Sequence, residues 1–243
     1  MITREEHADD YVYLTATNTG ESHLSRGLCN QDASCYMHSS NGFALAVADG
    51  VGSCAKADVG AKAACSAVVD SFSLIEDDLL ELSSTSVTDA IIVRWRGMLL
   101  NERLSDCCST LKAAIGWGSR LLLLSLGDGL IAVSSGEYGV VSPADVGLFA
   151  NQTNCLSADT TPADFWSETT ILESKAGFAL FMCTDGVSSQ LKDGVELDLV
   201  REIERYGTPT VIRSEIEDLV KLVSDYNNDD KTVGIVWRGG RHA

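Results

Sequence analysis

Proline is scarce in this chain: three in 243 residues, with no low-complexity tract, so a flexible linker has little to be made of and one domain spanning residues 1–243 is expected. Basic residues are few as well, 18 Lys+Arg against 35 Asp+Glu, and the resulting charge of −17 has the wrong sign for gripping a phosphate backbone. No nucleic-acid partner is expected. No apolar run approaches the ~20 residues that span a bilayer, so no membrane partner is expected either. The opening MITREEHADD is polar and acidic, without the apolar stretch of a secretory signal. Histidine numbers only four, and no C-x-x-C pair occurs among the eight cysteines, which excludes the usual zinc frameworks. Several cysteines, such as Cys65 in AKAACSAVV and Cys183 in FALFMCTDG, lie in apolar stretches where a free thiol packs as a small hydrophobe. Reduced cysteines and the missing signal point to a cytoplasmic protein.

Several catalytic motifs are missing too. There is no G-x-S-x-G elbow and no H-E-x-x-H, and Lys56 is not preceded by the glycines of a P-loop. Gly50-Val51-Gly52-Ser53-Cys54-Ala55 superficially fits a dinucleotide-binding turn, but Asp49 just before it would meet a pyrophosphate with like charge.

What remains is ample for a core; a chain of this length buries about 70–75% of its unfolded surface. Four short apolar runs predict buried strands, Phe43–Val47, Leu121–Leu126, Phe178–Met182 and Thr232–Trp237, with Tyr11–Thr15 and Gly139–Ser142 as further candidates. Helical spacing marks Ala61, Ala64, Cys65, Val68, Val69 and Phe72, then Val87, Ile91, Trp95, Met98 and Leu99, and later Ile212, Ile216, Leu219, Val220 and Val223. A further helix is predicted over Asp193–Tyr206, and Ser142–Ser167 reads as a loop-rich flap. Strands and helices are grouped rather than alternating, which favours an α+β fold with antiparallel sheets covered by helices.

The informative feature is how the strands end. FALAV runs into Ala48-Asp49-Gly50, LLLLSL into Gly127-Asp128-Gly129, and FALFMC into Thr184-Asp185-Gly186; the last strand is preceded by Asp229-Asp230-Lys231-Thr232. A single Asp-Gly is an ordinary turn dipeptide, but three after buried strands are a pattern. If the last strand runs antiparallel to the others, its start lies where they end, and four carboxylates converge. Carboxylates gathered in a partly dry place repel and are forced to take protons unless a cation is present. An oxygen-only donor set suits hard ions, Mg²⁺ or Mn²⁺. Gly50, without a side chain, would leave its carbonyl open to such an ion. Asn30-Gln31-Asp32 supplies another carboxylate upstream, in what alone would read as a polar turn.

Together with Cys108-Ser109-Thr110, these segments stand in the order of the signatures of the metal-dependent Ser/Thr protein phosphatases of type 2C, over about residues 22–236. The chain resembles that family, and Ser22-His23, Gly27–Asp32, Asp49–Ser53 and Asn151-Gln152-Thr153 are more like its compact bacterial branch. The resemblance implies a four-layer α-β-β-α sandwich with two mainly antiparallel sheets. It implies hydrolysis of phosphoserine or phosphothreonine on substrates of a Ser/Thr kinase, with two Mg²⁺ or Mn²⁺ ions as cofactors. By position, Asp49 would bridge the two metals, the Gly50 carbonyl would bind one, and Asp185 and Asp229 would complete the other. Asp32 would act through a water, and Asp128 would serve a third metal. Asp230 fills a slot where the family often has Asn, so Asp229 is the preferred ligand. Arg26 and His23 are the nearest substitutes for a phosphate-clamping Arg, whose slot is Gly27. Val51 replaces a suspected general-acid His, and Ser189 replaces an acid that helps the third metal. These departures motivate a rival reading, a pseudophosphatase or regulatory binding module on the same fold.

Overall fold

The computed structural model describes residues 1–8, 10–143, 154–172, 176–192 and 194–240. The chain opens with β1 (Ile2–Ala8) and β2 (Tyr11–Asn18), a single helical turn α1 (Glu21–Leu24), then β3 (Asp32–Ser39) and β4 (Gly42–Asp49). Two long helices follow, α2 (Ala57–Glu76) and α3 (Ser84–Met98). Next come β5 (Leu111–Trp117), β6 (Arg120–Leu126), β7 (Leu130–Ser135), β8 (Tyr138–Val141), β9 (Trp166–Ile171) and β10 (Phe178–Cys183). The chain closes with α4 (Asp185–Ser188), α5 (Glu196–Tyr206), α6 (Pro209–Ser224) and β11 (Lys231–Arg238).

One sheet has the order β1-β2-β11-β10-β7-β8 and the other β3-β4-β5-β6-β9, and every described ladder is antiparallel. Alternation along the strands decides which side chains fill which layer. In β4, Phe43, Leu45 and Val47 face the space between the sheets, whereas Ala44, Ala46 and Ala48 face the helices. In β10, Phe178, Leu180 and Met182 join the same central layer, while Ala179, Phe181 and Cys183 turn outward to α5 and α6. The architecture is therefore helices, sheet, sheet, helices. Small residues on both sides let α2 lie close to the second sheet: Ala61, Ala64 and Ala67 are fully buried against it. Trp95 of α3 locks the helix pair, its indole N–H donating to the Gly60 carbonyl at 3.1 Å.

All six predicted strands and all four helical segments fall on elements of the structure, with boundaries shifted by a few residues. The helix predicted from Asp193 begins at Glu196, and residue 193 lies outside the described residues. Asn151-Gln152-Thr153 and much of the predicted flap, residues 144–153, lie outside them as well. Pro209 and the capping Thr208, whose hydroxyl accepts from the Val211 amide at 3.3 Å, start α6 sharply. No described helix is long and apolar enough to cross a membrane.

Candidate active site

The strands deliver their acids to one edge of the sandwich. Asp32 is the first residue of β3 and Asp49 the last of β4, and their antiparallel register places them directly opposite each other. Asp185 opens α4 immediately after β10, and Asp229 lies just before β11, whose Val233 pairs with Cys183 of β10. Asp128 sits in the turn that carries the chain from β6 in one sheet to β7 in the other. The charges of Asp32, Asp185 and Asp229 all act on Asp49, and those of Asp128 and Asp229 act on Asp185. All five carboxylates thus share one neighbourhood.

Two threonines fix this geometry. The Thr184 hydroxyl donates to Asp32 Oδ2 at 2.8 Å and accepts from the Thr232 amide at 3.0 Å, binding the two sheets together beneath the acids. Thr110, from the Cys108-Ser109-Thr110 segment, brackets Asp49: its hydroxyl accepts from the Asp49 amide at 3.0 Å and its own amide donates to the Asp49 carbonyl at 2.8 Å. Gly50 and Gly186 are required by close packing. A Cβ on Gly50 would lie 2.4 Å from the Ala57 carbonyl oxygen, and one on Gly186 only 1.9 Å from that of Asp230. The start of α2 therefore explains Gly50 without reference to any ligand.

The electrostatics are those of crowded acids. Burial pushes the Asp32 carboxyl up to about 7, against the lowering effect of its hydrogen bonds, and the Asp230 charge adds to the rise. Burial, followed by the charges of Asp32, Asp185 and Asp229, raises Asp49 well above the usual carboxylate range. Burial and the charges of Asp128 and Asp229 push Asp185 up to about 6. Among the described residues, Oδ1 of Asp32 and Oδ1 of Asp185 are both buried without a hydrogen-bond partner. Orphaned buried carboxylate oxygens are costly, and a hard cation would satisfy both. No three of the described His, Cys, Asp and Glu side chains already stand as a finished metal cage. The fit therefore rests on the individual donors, which are oxygen only and suit Mg²⁺ or Mn²⁺.

The structure separates the two adjacent acids of the last motif. Asp230 is 2% exposed, and both its oxygens are committed: Oδ1 to the Gly20 amide at 2.8 Å, Oδ2 to the Gln31 amide at 2.6 Å and His23 Nδ1 at 2.8 Å. Asp229 is exposed, with Oδ1 accepting from the Asp230 amide at 2.9 Å. His23, expected at the phosphate, is instead turned inward and held by Asp230, so it anchors the chain around α1. Arg26 stays exposed, its Nε donating to the Ser22 carbonyl at 2.7 Å. Ser189 accepts from Asn227 Nδ2 at 3.2 Å, so the slot of the missing acid braces the Asp229 loop. Sequence reasoning assigned no role to Thr184, Thr110, Lys112 or Lys231; of the lysines, Lys112 interrupts an apolar strand and Lys231 opens one. A cavity of about 760 Å³ between α5 and α6 contains none of these acids.

A family model described as protein phosphatase 2C matches residues 19–223. The chain belongs to the protein phosphatase 2C family. Among solved structures, this protein phosphatase 2C member is similar to RsbX in complex with magnesium (15% identity, TM-score 0.66, covering 98% of this chain and 100% of that one). It is also similar to a bacterial serine phosphatase (16%, 0.67, 95% and 99%). The catalytic domain of the serine threonine protein phosphatase PstP in complex with two manganese ions is a third (17%, 0.62, 94% and 98%). At these identities the likeness is one of fold. No curated protein matches the chain in sequence.

Proposed function

We propose that this chain is a metal-dependent protein phosphatase that removes phosphate from phosphoserine and phosphothreonine in proteins modified by a Ser/Thr kinase. The observation that carries this reading is the gathering of Asp32, Asp49, Asp185 and Asp229, from three distant parts of the sequence, at one edge of the two sheets. Family membership supports the phosphatase class, and the magnesium and manganese bound by RsbX and PstP support the cofactor.

Two such cations, when bound, lower the pKa of a water toward neutrality and offset the charge of the phosphoryl oxygens. Asp49 would serve both ions, Asp185 and Asp229 one of them, and the Gly50 carbonyl would add an oxygen; Asp128 would serve a third. Asp32, held by the Thr184 hydroxyl, would orient the attacking water and accept its proton. Exposed Arg26 is the cation nearest in sequence to the phosphate-clamp slot. Val51 offers no proton, so the departing serine or threonine oxygen draws one from solvent.

A second reading, a binding module without turnover, is favoured by Gly27 and Val51 at two slots where catalytic side chains are common. One experiment separates them. The purified protein is expected to hydrolyse p-nitrophenyl phosphate and a phosphothreonine peptide with Mn²⁺ and to stop on adding EDTA. Hydrolysis indifferent to chelation would defeat the metal mechanism, and tight Mn²⁺ binding without turnover on either compound would establish the module.

A further inference from the structure

Lysine is seldom fully buried, yet Lys112 and Lys231 are each 1% exposed and rank among the bulkiest interior side chains. Lys112 lies on β5 opposite Ser125 of β6. Its ammonium donates to Ser125 Oγ at 2.7 Å and to the Gly127 carbonyl at 2.5 Å. The stem passes beneath Gly129, where a Cβ would sit 3.1 Å from Lys112 Cε and 2.6 Å from the Cys183 carbonyl. Lys112 therefore lies under the turn that carries Asp128 and beside the strand that delivers Asp185. Lys231, the first residue of β11, repeats the arrangement. Its ammonium donates to the Asn227 carbonyl at 2.6 Å and to that of Asp229, and its stem runs past Gly186, whose Cβ would lie 3.4 Å from Lys231 Cγ. Both lysines thus occupy space left free by the glycine of an Asp-Gly pair.

Both ammonium groups grip main-chain carbonyls of the loops bearing Asp128 and Asp229, from the interior side. Like-charged carboxylates push such loops apart, and a buried donor clasping the loop backbone opposes that spreading. We infer that Lys112 and Lys231 are positioning residues, two internal ammonium groups that hold the ligand-bearing loops in place before any cation arrives. The inference rests on the metal-dependent reading above for its purpose, and on hydrogen bonds and burial for its substance.

Positioning and simple charge act in opposite directions here. A fixed positive charge beside the site repels an incoming cation, so removing it should tighten Mn²⁺ binding by electrostatics alone. Loss of positioning should weaken it, and outer partners of metal ligands are commonly worth 10–100-fold in affinity. The test is calorimetric Mn²⁺ titration of the full chain as wild type, Lys112→Met, Lys231→Met, Ser125→Ala and Lys231→Arg. It is paired with hydrogen exchange at amides 127–129 and 227–230 in EDTA-treated protein. Lys112→Met and Lys231→Met are each expected to raise the Mn²⁺ Kd about 10–100-fold and to speed exchange in their own loops. Ser125→Ala, which keeps the charge and decides for Lys112 if Lys112→Met does not fold, should shift both in the same direction by less. Lys231→Arg, which keeps the charge but alters the reach to the Asn227 and Asp229 carbonyls, does the same for Lys231. Unchanged or tighter binding, or unchanged exchange, overturns the proposal. A wild type that binds no Mn²⁺ defeats the metal reading instead, and exchange alone then judges the lysines.

Discussion

Asp32 and Asp49 stand directly across from each other at the ends of adjacent antiparallel strands, and the Thr184 hydroxyl ties Asp32 to the opposite sheet at 2.8 Å. A pair of buried acids in register is unfavourable by itself, since neither can lose its proton freely beside the other. Its cost becomes intelligible at an edge where Asp185 and Asp229 also arrive. The sandwich supplies rigid strand ends, and on the metal-dependent reading proposed above the acids would use that rigidity to hold cations.

Asp49 feels the charges of three other acids, so its amide variant should disable the site while relieving the crowding. Asp49→Asn is expected to lower kcat/KM for p-nitrophenyl phosphate with Mn²⁺ by at least about 100-fold, the scale of losing a main electrostatic stabiliser. Mn²⁺ at a hundred times its Kd should stabilise the wild type by about 2.7 kcal/mol and leave the variant's melting temperature nearly unmoved. Steady-state kinetics and thermal melts check both.

Cation-free protein should lose stability as pH rises. Asp32 titrates at about 7 in the folded chain and Asp185 at about 6, against ~3.9 for an unfolded Asp. Between about pH 4 and 7 the folded state holds protons that the unfolded state has released, so raising the pH favours unfolding. Melting temperatures in EDTA are expected to fall from pH 5 to pH 7.5, less steeply for Asp32→Asn, and Mn²⁺ should restore them at pH 7.5. An Asp32→Asn slope equal to that of the wild type would remove Asp32 as the source.

Neighbouring acids should behave as opposites. Asp230→Ala strands the Gly20 and Gln31 amides and the buried His23, which should cost roughly 3–5 kcal/mol by denaturant unfolding. Asp229→Ala, at an exposed position, should change stability by no more than about 0.5 kcal/mol but weaken Mn²⁺ binding. Equal destabilisation by the two would contradict the division of labour.

Thr184→Val removes a buried hydroxyl that serves both Asp32 and the Thr232 amide. Two unsatisfied groups should cost about 1–3 kcal/mol and lower kcat with little effect on KM, because Asp32 is then misplaced. Urea unfolding and initial-rate kinetics separate the two effects.

β4, β6 and β10 were legible because they are continuous apolar runs buried on both faces, whereas β5 and β7, just as buried, were not predicted. The sequence pattern was blinder at β1, whose polar residues leave an exposed edge held mainly by backbone pairing with β2. It was blind again at β3, where Asp32 reads as part of a turn although it already pairs with Asp49. The acids could be assembled from their repeated place after strands. Their inner partners could not: nothing local shows that His23 reaches Asp230, 207 residues away. Adjacent Asp229 and Asp230 look alike in a string, and only the path of the chain past Gly20 and Gln31 turns one inward. Lys112 was visible as a charge inside an apolar strand and Lys231 as one at the start of another, but their targets depend on how two sheets meet.

Anomalous X-ray diffraction at the manganese edge, on crystals grown with Mn²⁺, tests the gathering of acids most directly. Two strong peaks are expected within about 2.0–2.6 Å of carboxylate oxygens, the range for hard divalent ions on oxygen ligands, with Asp49 touching both and Asp185 and Asp229 on one of them. Manganese bound away from these three residues, or no peak in crystals of protein that calorimetry shows to bind Mn²⁺, would contradict it.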